Sequence, residues 1–318
     1  MTVATAPQLS TNQLLSALEG VTAIPCAPYR NGSIDYDAHL KNVRYLMQTN
    51  NLSEGRPRVL SIAGTSPIHQ MTRAEQVRLV DITTRDMGNE GVYVAGVMPS
   101  PLADAKDLIG ELNGLQRPPD AYLIMPLAGV YDPDGMYSEF MAFGEEVDDR
   151  FGARLIYYFK DSRDLSQMGS LFRDSEAFVG VKVGTSEDDV QPLVQAIGDN
   201  GLVIWGIGDR CTRASQLGTK GHTSGIAVAY SKASDAINNA QRAGDHAESQ
   251  RVEDAISSLE ELRFRDGRRY NYSAVISAMA QSGFDDIDGG EGAPFNPPVP
   301  AAISREVKAA IADLAQYH

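Results

Sequence analysis

A lysine stands inside the apolar stretch FVGVKVG, at residues 178–184. Side chains alternate between the two faces of a strand, so Lys182 points away from the face that Val181 and Val183 occupy. If its own face is enclosed, loss of hydration lowers the pKa of the amine, and a neutral amine near pH 7 can attack a carbonyl carbon. The local sequence alone fits a lysine that reaches solvent or pairs with a carboxylate better, so the surroundings of Lys182 must decide.

A tyrosine lies one predicted strand earlier, in the segment ARLIYYFKDSRD. Tyr158 and Tyr157 fall on opposite faces of that strand. Active sites of barrels lie at the carboxyl ends of the strands, where a phenol could pass protons to and from a carbonyl adduct. A packed aromatic ring is the more common role of a strand tyrosine.

The elements that would position these residues alternate along the chain. Short β-like runs, several of them continuously apolar, are separated by longer segments with helical periodicity. This pattern predicts the α/β fold class, as a (β/α)₈ TIM barrel with a C-terminal helical region, although a doubly wound sheet alternates in the same way. The strand candidates are 21–26, 58–64, 91–97, 121–126, 153–159, 178–184, 201–208 and 223–229.

Capping patterns mark where several helices should begin. Asp35 is a predicted N-cap, Thr72 with Glu75 forms a capping-box pattern, and Ser186 precedes two aspartates. We predict a flexible lead over 1–12, a barrel over 13–229 and a helical region over 230–318. The helices predicted in that last region cover 230–242, 246–264, 270–282 and 302–317.

The composition argues against several kinds of function. The chain has 318 residues and a formal net charge of −14, and an acidic surface repels nucleic acid. Cys26 and Cys211 form no disulfide framework, which fits a reducing cytoplasm, and no apolar run is long enough to span a membrane. The histidines show no metal-binding spacing; we predict that His222 is structural, while His69 is a weaker candidate for substrate contact.

Four segments, in order, resemble the dihydrodipicolinate synthase / N-acetylneuraminate lyase superfamily of class I aldolases. They are GVTAIPCAPYRNGSID, MTRAEQVRLVD, VGVKVGTSEDD and GIGDRCTRASQLGTKGHTSG. The resemblance implies a barrel with a helical C-terminal region, and pyruvate or another 2-keto acid as the small-molecule partner. It also implies an imine that serves as electron sink, without a metal or organic cofactor, and a homo-oligomer, either a tetramer or a dimer.

The resemblance also implies roles for single residues. Lys182 stands where the family has its imine lysine. Tyr158 precedes Arg163 by five positions, as in the family pattern Y-N-x-P-x-R, so it is the proton-transfer residue, and Arg163 is a candidate for holding a distal carboxylate. Gly208 matches the glycine that follows strand 7, and Thr223 precedes the serine of the last strand.

Two segments depart from the family pattern. AGTSPIHQMT stands in place of G-[TS]-T-G-E: Gly64, Thr65 and Ser66 retain a glycine and two hydroxyls for the carboxylate of the keto acid, but the following Gly-Glu is missing. PLAGVYDPDG stands in place of P-Y-Y-x-x-P-x-x-x-G, so that Ala128 occupies the position of the relay tyrosine. This argues against a standard dihydrodipicolinate synthase.

Two functions from different classes follow. The first is a lyase, either an aldolase or a hydro-lyase, that forms a Schiff base through Lys182. Within it, a 5-dehydro-4-deoxyglucarate dehydratase and a 2-keto-3-deoxy sugar acid aldolase remain alternatives. The second is a decayed barrel that binds a keto-acid metabolite without turnover, which the missing glutamate and tyrosine suggest.

Overall fold

The computed structural model describes residues 9–318 and contains a closed barrel of eight parallel strands. Each strand pairs with its neighbours in chain order, and the first strand pairs with the last to close the ring. The predicted (β/α)₈ fold class is confirmed. The barrel strands are β1 (Val21–Ala23), β2 (Val59–Ile62), β3 (Val92–Val97), β4 (Ala121–Ile124), β5 (Leu155–Phe159), β6 (Phe178–Val183), β7 (Leu202–Trp205) and β8 (His222–Ser224).

Alternation along the strands sends one set of side chains into the barrel and the other toward the helices. The inner set encloses a narrow cavity that contains the Lys182 side chain. Most of this lining is apolar or carries a small hydroxyl, so the cavity offers little to solvate a charge. Its lining residues are Leu18, Thr22, Ser61, Val94, Leu123, Ile156, Lys182, Ile204 and Thr223.

Helices lie between the strands and after the barrel. Those of the barrel part are α1 (Thr11–Leu18), α2 (Tyr36–Gln48), α3 (Arg73–Met87), α4 (Leu102–Asn113), α5 (Pro133–Phe151), α6 (Leu165–Asp174), α7 (Val190–Ile197) and the short α8 (Thr212–Gln216). Those of the C-terminal region are α9 (Ala227–Arg242), α10 (His246–Arg268), α11 (Ser273–Gln281) and α12 (Ala301–Ala310).

Two of the predicted caps are present. The Asp35 side chain accepts from the Ala38 N–H at 3.0 Å, and Thr72 and Glu75 form both hydrogen bonds of a capping box. Ser186 makes no cap hydrogen bond, because its segment begins with a 3₁₀ turn and α7 starts only at Val190. Side-chain caps therefore fix the starts of α2 and α3 but not that of α7.

Several predicted bounds need correction. The last strand ends at Ser224 and α9 already begins at Ala227, so the apolar run 223–229 is partly helix. Such a run can be a buried strand or a buried helix, and periodicity does not separate them. Helix α1 begins at Thr11, which makes the end of the predicted lead helical, while residues 1–8 of that lead lie outside the described residues.

The C-terminal helices are attached to the barrel through buried charges. Arg58, just before β2, donates two hydrogen bonds to Asp235 of α9, at 2.6 and 2.7 Å, and both side chains are fully buried. On α10, Glu260 pairs with Arg263 and accepts the Asp209 backbone N–H at 3.2 Å, just beyond β7. Helix α10 is thereby held against the carboxyl ends of the last strands.

The end of α10 departs from helical geometry. Arg265 is extended, and Asp266, Gly267 and Arg268 have positive φ angles of 50°, 68° and 73°. After this break, Arg268 donates to the Gly184 carbonyl, just beyond β6, at 3.3 Å. Among the helices of residues 9–318, none has the length and apolarity to cross a membrane.

Candidate active site

Lys182 lies on β6 with its side chain inside the barrel and 3 % exposed. Its Cα is in register with that of Tyr158 on the adjacent β5, and its Nζ lies 4.4 Å from the centroid of the Tyr158 ring. Burial lowers the pKa of Lys182 from 10.5 to about 7, and the positive charges of Lys160 and Arg268 contribute to the shift. A substantial fraction of this amine is therefore neutral at physiological pH.

Two glycines make room for this lysine–tyrosine pair. A Cβ on Gly206, just after β7, would overlap the Val183 backbone carbonyl and lie 2.7 Å from Cγ and 2.9 Å from Cε of Lys182. A Cβ on Gly184 would overlap Cε2 of Tyr158. Because neither residue has a side chain, the Tyr158 and Lys182 side chains can pack directly against the backbone at both positions. Neither glycine was predicted for the site from the sequence.

Tyr158 and Tyr157 separate as strand alternation requires. Tyr158 is half-buried beside Lys182, and burial raises the pKa of its phenol although Arg268 partly counteracts the rise. Tyr157 points outward, packs edge-to-face on Phe140 at 5.7 Å, and donates to Asp164 at 2.8 Å. The phenol next to the amine is thus that of Tyr158, and it is protonated at neutral pH.

Two further basic residues reach the mouth of the barrel. Lys160 Nζ donates to the Gly184 carbonyl at 2.7 Å, and Arg268 Nη2 donates to the same oxygen at 3.3 Å. Burial, with a contribution from Arg268, lowers the pKa of Lys160 to about 8. Neither residue was predicted for the site, although the predicted helix over 246–264 already ends before the Asp266-Gly267 turn signal that leads to Arg268.

The loop after β2 retains one free hydroxyl. Thr65 Oγ1 is buried and has no hydrogen-bond partner among the described residues. Ser66, in contrast, donates its hydroxyl to the Pro25 carbonyl at 2.6 Å and its N–H to the Ala63 carbonyl at 2.9 Å. Gly64 adopts a φ of 52°, which turns the chain between β2 and these hydroxyls. The side chain available for a ligand in this loop is therefore that of Thr65.

Arg163 lies on the surface of the loop after β5. Its guanidinium stacks on the Tyr131 ring at 3.8 Å and pairs with Asp161 at 3.0 Å. The Tyr131 hydroxyl donates to Asp164 at 3.0 Å. Arg163 is therefore already engaged by a carboxylate and an aromatic ring.

The residues predicted after β7 belong to a buried polar network. A Cβ on Gly208, whose φ is 69°, would overlap the Glu260 carboxylate. Helix α10 can therefore pack here only because this residue is glycine. The adjacent Asp209 accepts from Ser224 at 2.8 Å and contacts His222 at 3.3 Å. Burial alone would lower the pKa of His222, but Cys211 and Asp209 hold that pKa well above its ordinary value.

Two other residues predicted for the site lie in different parts of the structure. Thr223 lines the same internal cavity as Lys182. His69 is exposed in the turn after β2. The structure thus brings Lys182, Tyr158 and Thr223 together in the barrel, whereas Arg163 and His69 lie at the surface.

The eight-stranded barrel thus holds a buried lysine beside a tyrosine near the carboxyl ends of two adjacent strands. The model of the dihydrodipicolinate synthetase family matches residues 17–297, and the chain belongs to this family. A search of curated protein sequences gives no significant match.

Solved structures with a similar fold include several dihydrodipicolinate synthases. The enzyme of Bacillus clausii is 22% identical, with a TM-score of 0.80, over 94% of this chain and 98% of that one. That of Oceanobacillus iheyensis is 20% identical, with a TM-score of 0.82, over 95% and 98%. The enzyme of Acinetobacter baumannii, solved with pyruvate, is 19% identical, with a TM-score of 0.80, over 94% and 99%. At these identities the comparison shows a shared fold.

Proposed function

We propose that this protein is a Schiff-base-forming lyase that acts on pyruvate or another 2-keto acid through Lys182. The observation that carries the proposal is the buried amine of Lys182, with its pKa lowered to about 7, next to the Tyr158 phenol. A site that only bound a metabolite would have no need of a desolvated, neutral amine. Membership of the dihydrodipicolinate synthetase family supports the same chemistry.

The reaction begins with attack of the neutral Lys182 amine on the keto carbon. A C–N bond forms, the carbonyl π electrons move to oxygen, and that oxygen takes up a proton. Loss of the oxygen as water, after a second proton transfer, leaves the protonated imine. Tyr158 is placed to carry these protons, because its phenol is protonated at neutral pH and lies beside the amine.

The imine then withdraws electrons from the adjacent carbon. In an aldolase, cleavage of the next carbon–carbon bond leaves its electron pair on this carbon as an enamine and releases an aldehyde. In a hydro-lyase, this carbon loses a proton and the carbon beyond it loses hydroxide, so that water is eliminated. The Thr65 hydroxyl, buried and without a partner among residues 9–318, is the donor that we assign to the carboxylate of the keto acid. The positive charges of Lys160 and Arg268 add attraction for an anionic substrate at the mouth.

Reductive trapping tests the proposal. The protein is incubated with pyruvate, reduced with borohydride, and measured by intact mass, and we expect a covalent adduct that peptide mapping places on Lys182. Lys182→Ala should abolish the adduct. Lys220→Ala is the matched control, because Lys220 is an exposed lysine, and it should leave trapping unchanged.

A keto-acid-binding barrel without turnover is the second candidate. It is favoured by Ala128, which replaces the expected relay tyrosine, and by the engaged donors of Ser66. This candidate predicts that keto acids raise the melting temperature while borohydride traps nothing. Absence of an adduct across a panel of keto acids would contradict the lyase and leave this candidate.

A further inference from the structure

A cleft of about 560 Å³ lies on the outside of the barrel wall, between the ends of β6 and β7 and the last turns of α10. Its lining includes Thr185, Trp205, Arg210, Phe264 and Arg268. Strand alternation sends Trp205 to the opposite face from Ile204, which lines the internal cavity that contains Lys182. This outer cleft has the size of a small-molecule site, and no step of the proposed reaction takes place in it.

The indole N–H of Trp205 is a buried donor in this lining. Trp205 is 3 % exposed, and its Nε1 has no hydrogen-bond partner in the part of the chain that the structure describes. An indole nitrogen can only donate, and a buried donor without an acceptor destabilises the fold. Thr185 Oγ1 and Arg210 Nε are buried and unpaired in the same lining. A ligand with several acceptor oxygens would satisfy these groups.

One aromatic ring holds two guanidinium groups close together in the outer cleft. The Cζ atoms of Arg210 and Arg268 lie 4.6 and 5.5 Å from the centroid of the Phe264 ring. Within residues 9–318, neither guanidinium has a carboxylate within 4.0 Å. Arg263, which also contacts this ring, is in contrast paired with Glu260. Two positive charges therefore repel each other here, and an anion would be attracted by both.

Two glutamates also line the outer cleft, but neither pairs with its arginines. Glu253 accepts the backbone N–H groups of Cys211 and Thr212, at 3.1 and 3.0 Å, and is thereby engaged at the start of α8. Glu187 is exposed on the 3₁₀ turn that follows β6, where solvent screens its charge. A guanidinium carries five N–H groups, and the contact of Arg268 with the Gly184 carbonyl uses one of them. Both arginines therefore retain donors for a ligand.

We infer that the outer cleft is a binding site for a phosphate group, separate from the lysine site inside the barrel. A phosphate monoester offers three strong acceptor oxygens and close to two negative charges, whereas a carboxylate offers two oxygens and one charge. The two guanidinium groups, the indole N–H and the threonine hydroxyl match the phosphate better. The ligand is inorganic phosphate or a small phosphate ester, and its binding does not depend on the proposed imine chemistry.

Trp205 is the only tryptophan of the chain, so its fluorescence reports on the outer cleft directly. Inorganic phosphate, glycerol 2-phosphate and acetate are titrated separately at constant ionic strength, with sodium chloride as the balancing salt. We expect a saturable change in tryptophan emission with phosphate or its ester and none with sodium chloride. Acetate should half-saturate at an about tenfold or more higher concentration, because it forms fewer charged hydrogen bonds. The tighter of the two phosphates tells free phosphate from a phosphate ester.

Variants assign the binding to the outer cleft. Arg210→Gln and, separately, Arg268→Gln each remove one positive charge and should raise the half-saturating phosphate concentration about tenfold or more. Arg269→Gln is the matched control, because Arg269 is the exposed neighbour of Arg268 in the chain, and it should bind phosphate like the wild type. Thermal denaturation gives a second measurement, since a ligand of the folded state raises the melting temperature. If Arg268→Gln does not fold, Arg210→Gln still decides.

Lys182→Met distinguishes this site from the lysine site. It should leave the half-saturating phosphate concentration unchanged, and saturating pyruvate should not displace phosphate from the wild type. Weaker binding in either experiment would overturn a separate site. The absence of a saturable response to both phosphates, or unchanged half-saturation in both the Arg210 and Arg268 variants, overturns the inference as a whole. Acetate that binds as tightly as phosphate overturns the assignment to a phosphate group.

Discussion

Burial, together with nearby positive charge, sets the pH at which the Lys182 amine can become neutral. Burial is the main cause of its lowered pKa, and Lys160 is the larger of the two charge contributions. In the proposed reaction the neutral amine is the nucleophile, so the trapping rate should rise with pH and level off above a pKa of about 7, far below the 10.5 of a free lysine. A rate–pH profile of pyruvate trapping measures this directly.

Removal of the Lys160 charge should move that profile. Lys160→Met eliminates the repulsion that favours the neutral amine, so the midpoint should shift to higher pH and the rate at pH 7 should fall severalfold. Lys220→Met, at an exposed lysine far along the chain, should leave the midpoint where it is. An unchanged midpoint in Lys160→Met would show that Lys160 does not act on Lys182 in solution.

Addition of a side chain at Gly206 tests how tightly Lys182 is packed. In Gly206→Ala the new Cβ overlaps the Val183 backbone carbonyl and lies 2.7 Å from Cγ of Lys182. The strand backbone and the lysine must both shift, so trapping should fall at least tenfold and the melting temperature should fall as well. Gly135→Ala is the matched control, since a Cβ there has no atom within 4 Å and alanine favours a helix over glycine by about 0.5–1 kcal/mol. Wild-type trapping in Gly206→Ala would show that the lysine is held less tightly than its packing indicates.

The sequence predicts part of this site for a clear reason. Alternation along β5 and β6 depends only on local spacing, so the side-by-side placement of Tyr158 and Lys182 can be anticipated. The space left by Gly184 and Gly206 and the approach of Arg268 depend on contacts between segments distant in the chain. Those contacts are not encoded in any local pattern.

At the scale of elements, the ion pair between Arg58 and Asp235 joins β2 to α9. Asp235→Ala would leave the fully buried guanidinium without its partner, which typically costs about 3–5 kcal/mol. We expect the free energy of unfolding, measured by denaturant titration, to fall by that amount. Arg251→Gln should change it by no more than about 0.5 kcal/mol, because the pair of Arg251 and Glu248 is exposed.

A double variant sharpens this test. In Arg58→Met with Asp235→Leu, both charges are replaced by apolar groups, so no buried charge is left unpaired and the loss should be smaller than in Asp235→Ala. Equal losses in the two variants would mean that the contact, rather than the unpaired charge, carries the stability.

The sequence predicts which strands and helices exist more reliably than it predicts where they begin and end. Eight apolar runs predict eight strands, and the caps at Asp35 and Thr72 predict the starts of α2 and α3. The run 223–229 misleads, because α9 begins with apolar residues that are buried on all sides. The predicted helix over 246–264 ends directly before the break at Arg265, so this bound is predicted correctly.

At the scale of the whole molecule, the buried Lys182 should lower the free energy of unfolding at pH values below about 10.5, and most strongly below about 7. Its folded pKa, about 7, is lower than the unfolded value of 10.5, so between those values the unfolded chain binds more protons and stability rises with pH. Below pH 7 both states are charged and the full cost of burial, a few kcal/mol, is present.

Lys182→Met removes that cost. Its melting temperature should exceed that of the wild type at pH 6, and the difference should shrink as the pH rises toward 10. Thermal denaturation across this range measures both curves. A difference that stays constant with pH would contradict a buried amine whose pKa is depressed.

The break at the end of α10 has a consequence for how the substrate selectivity of this protein could be altered. Lys182 and Tyr158 lie on adjacent strands of the barrel, where substitutions disturb the packing of the whole fold. The proposed lysine chemistry is therefore difficult to alter. Arg268, which donates to the Gly184 carbonyl just beyond β6, lies on a short turn over 265–268 outside that framework. Because this turn lies beside the carboxyl end of the lysine strand and outside the barrel framework, it is the natural place to begin a library for altered selectivity.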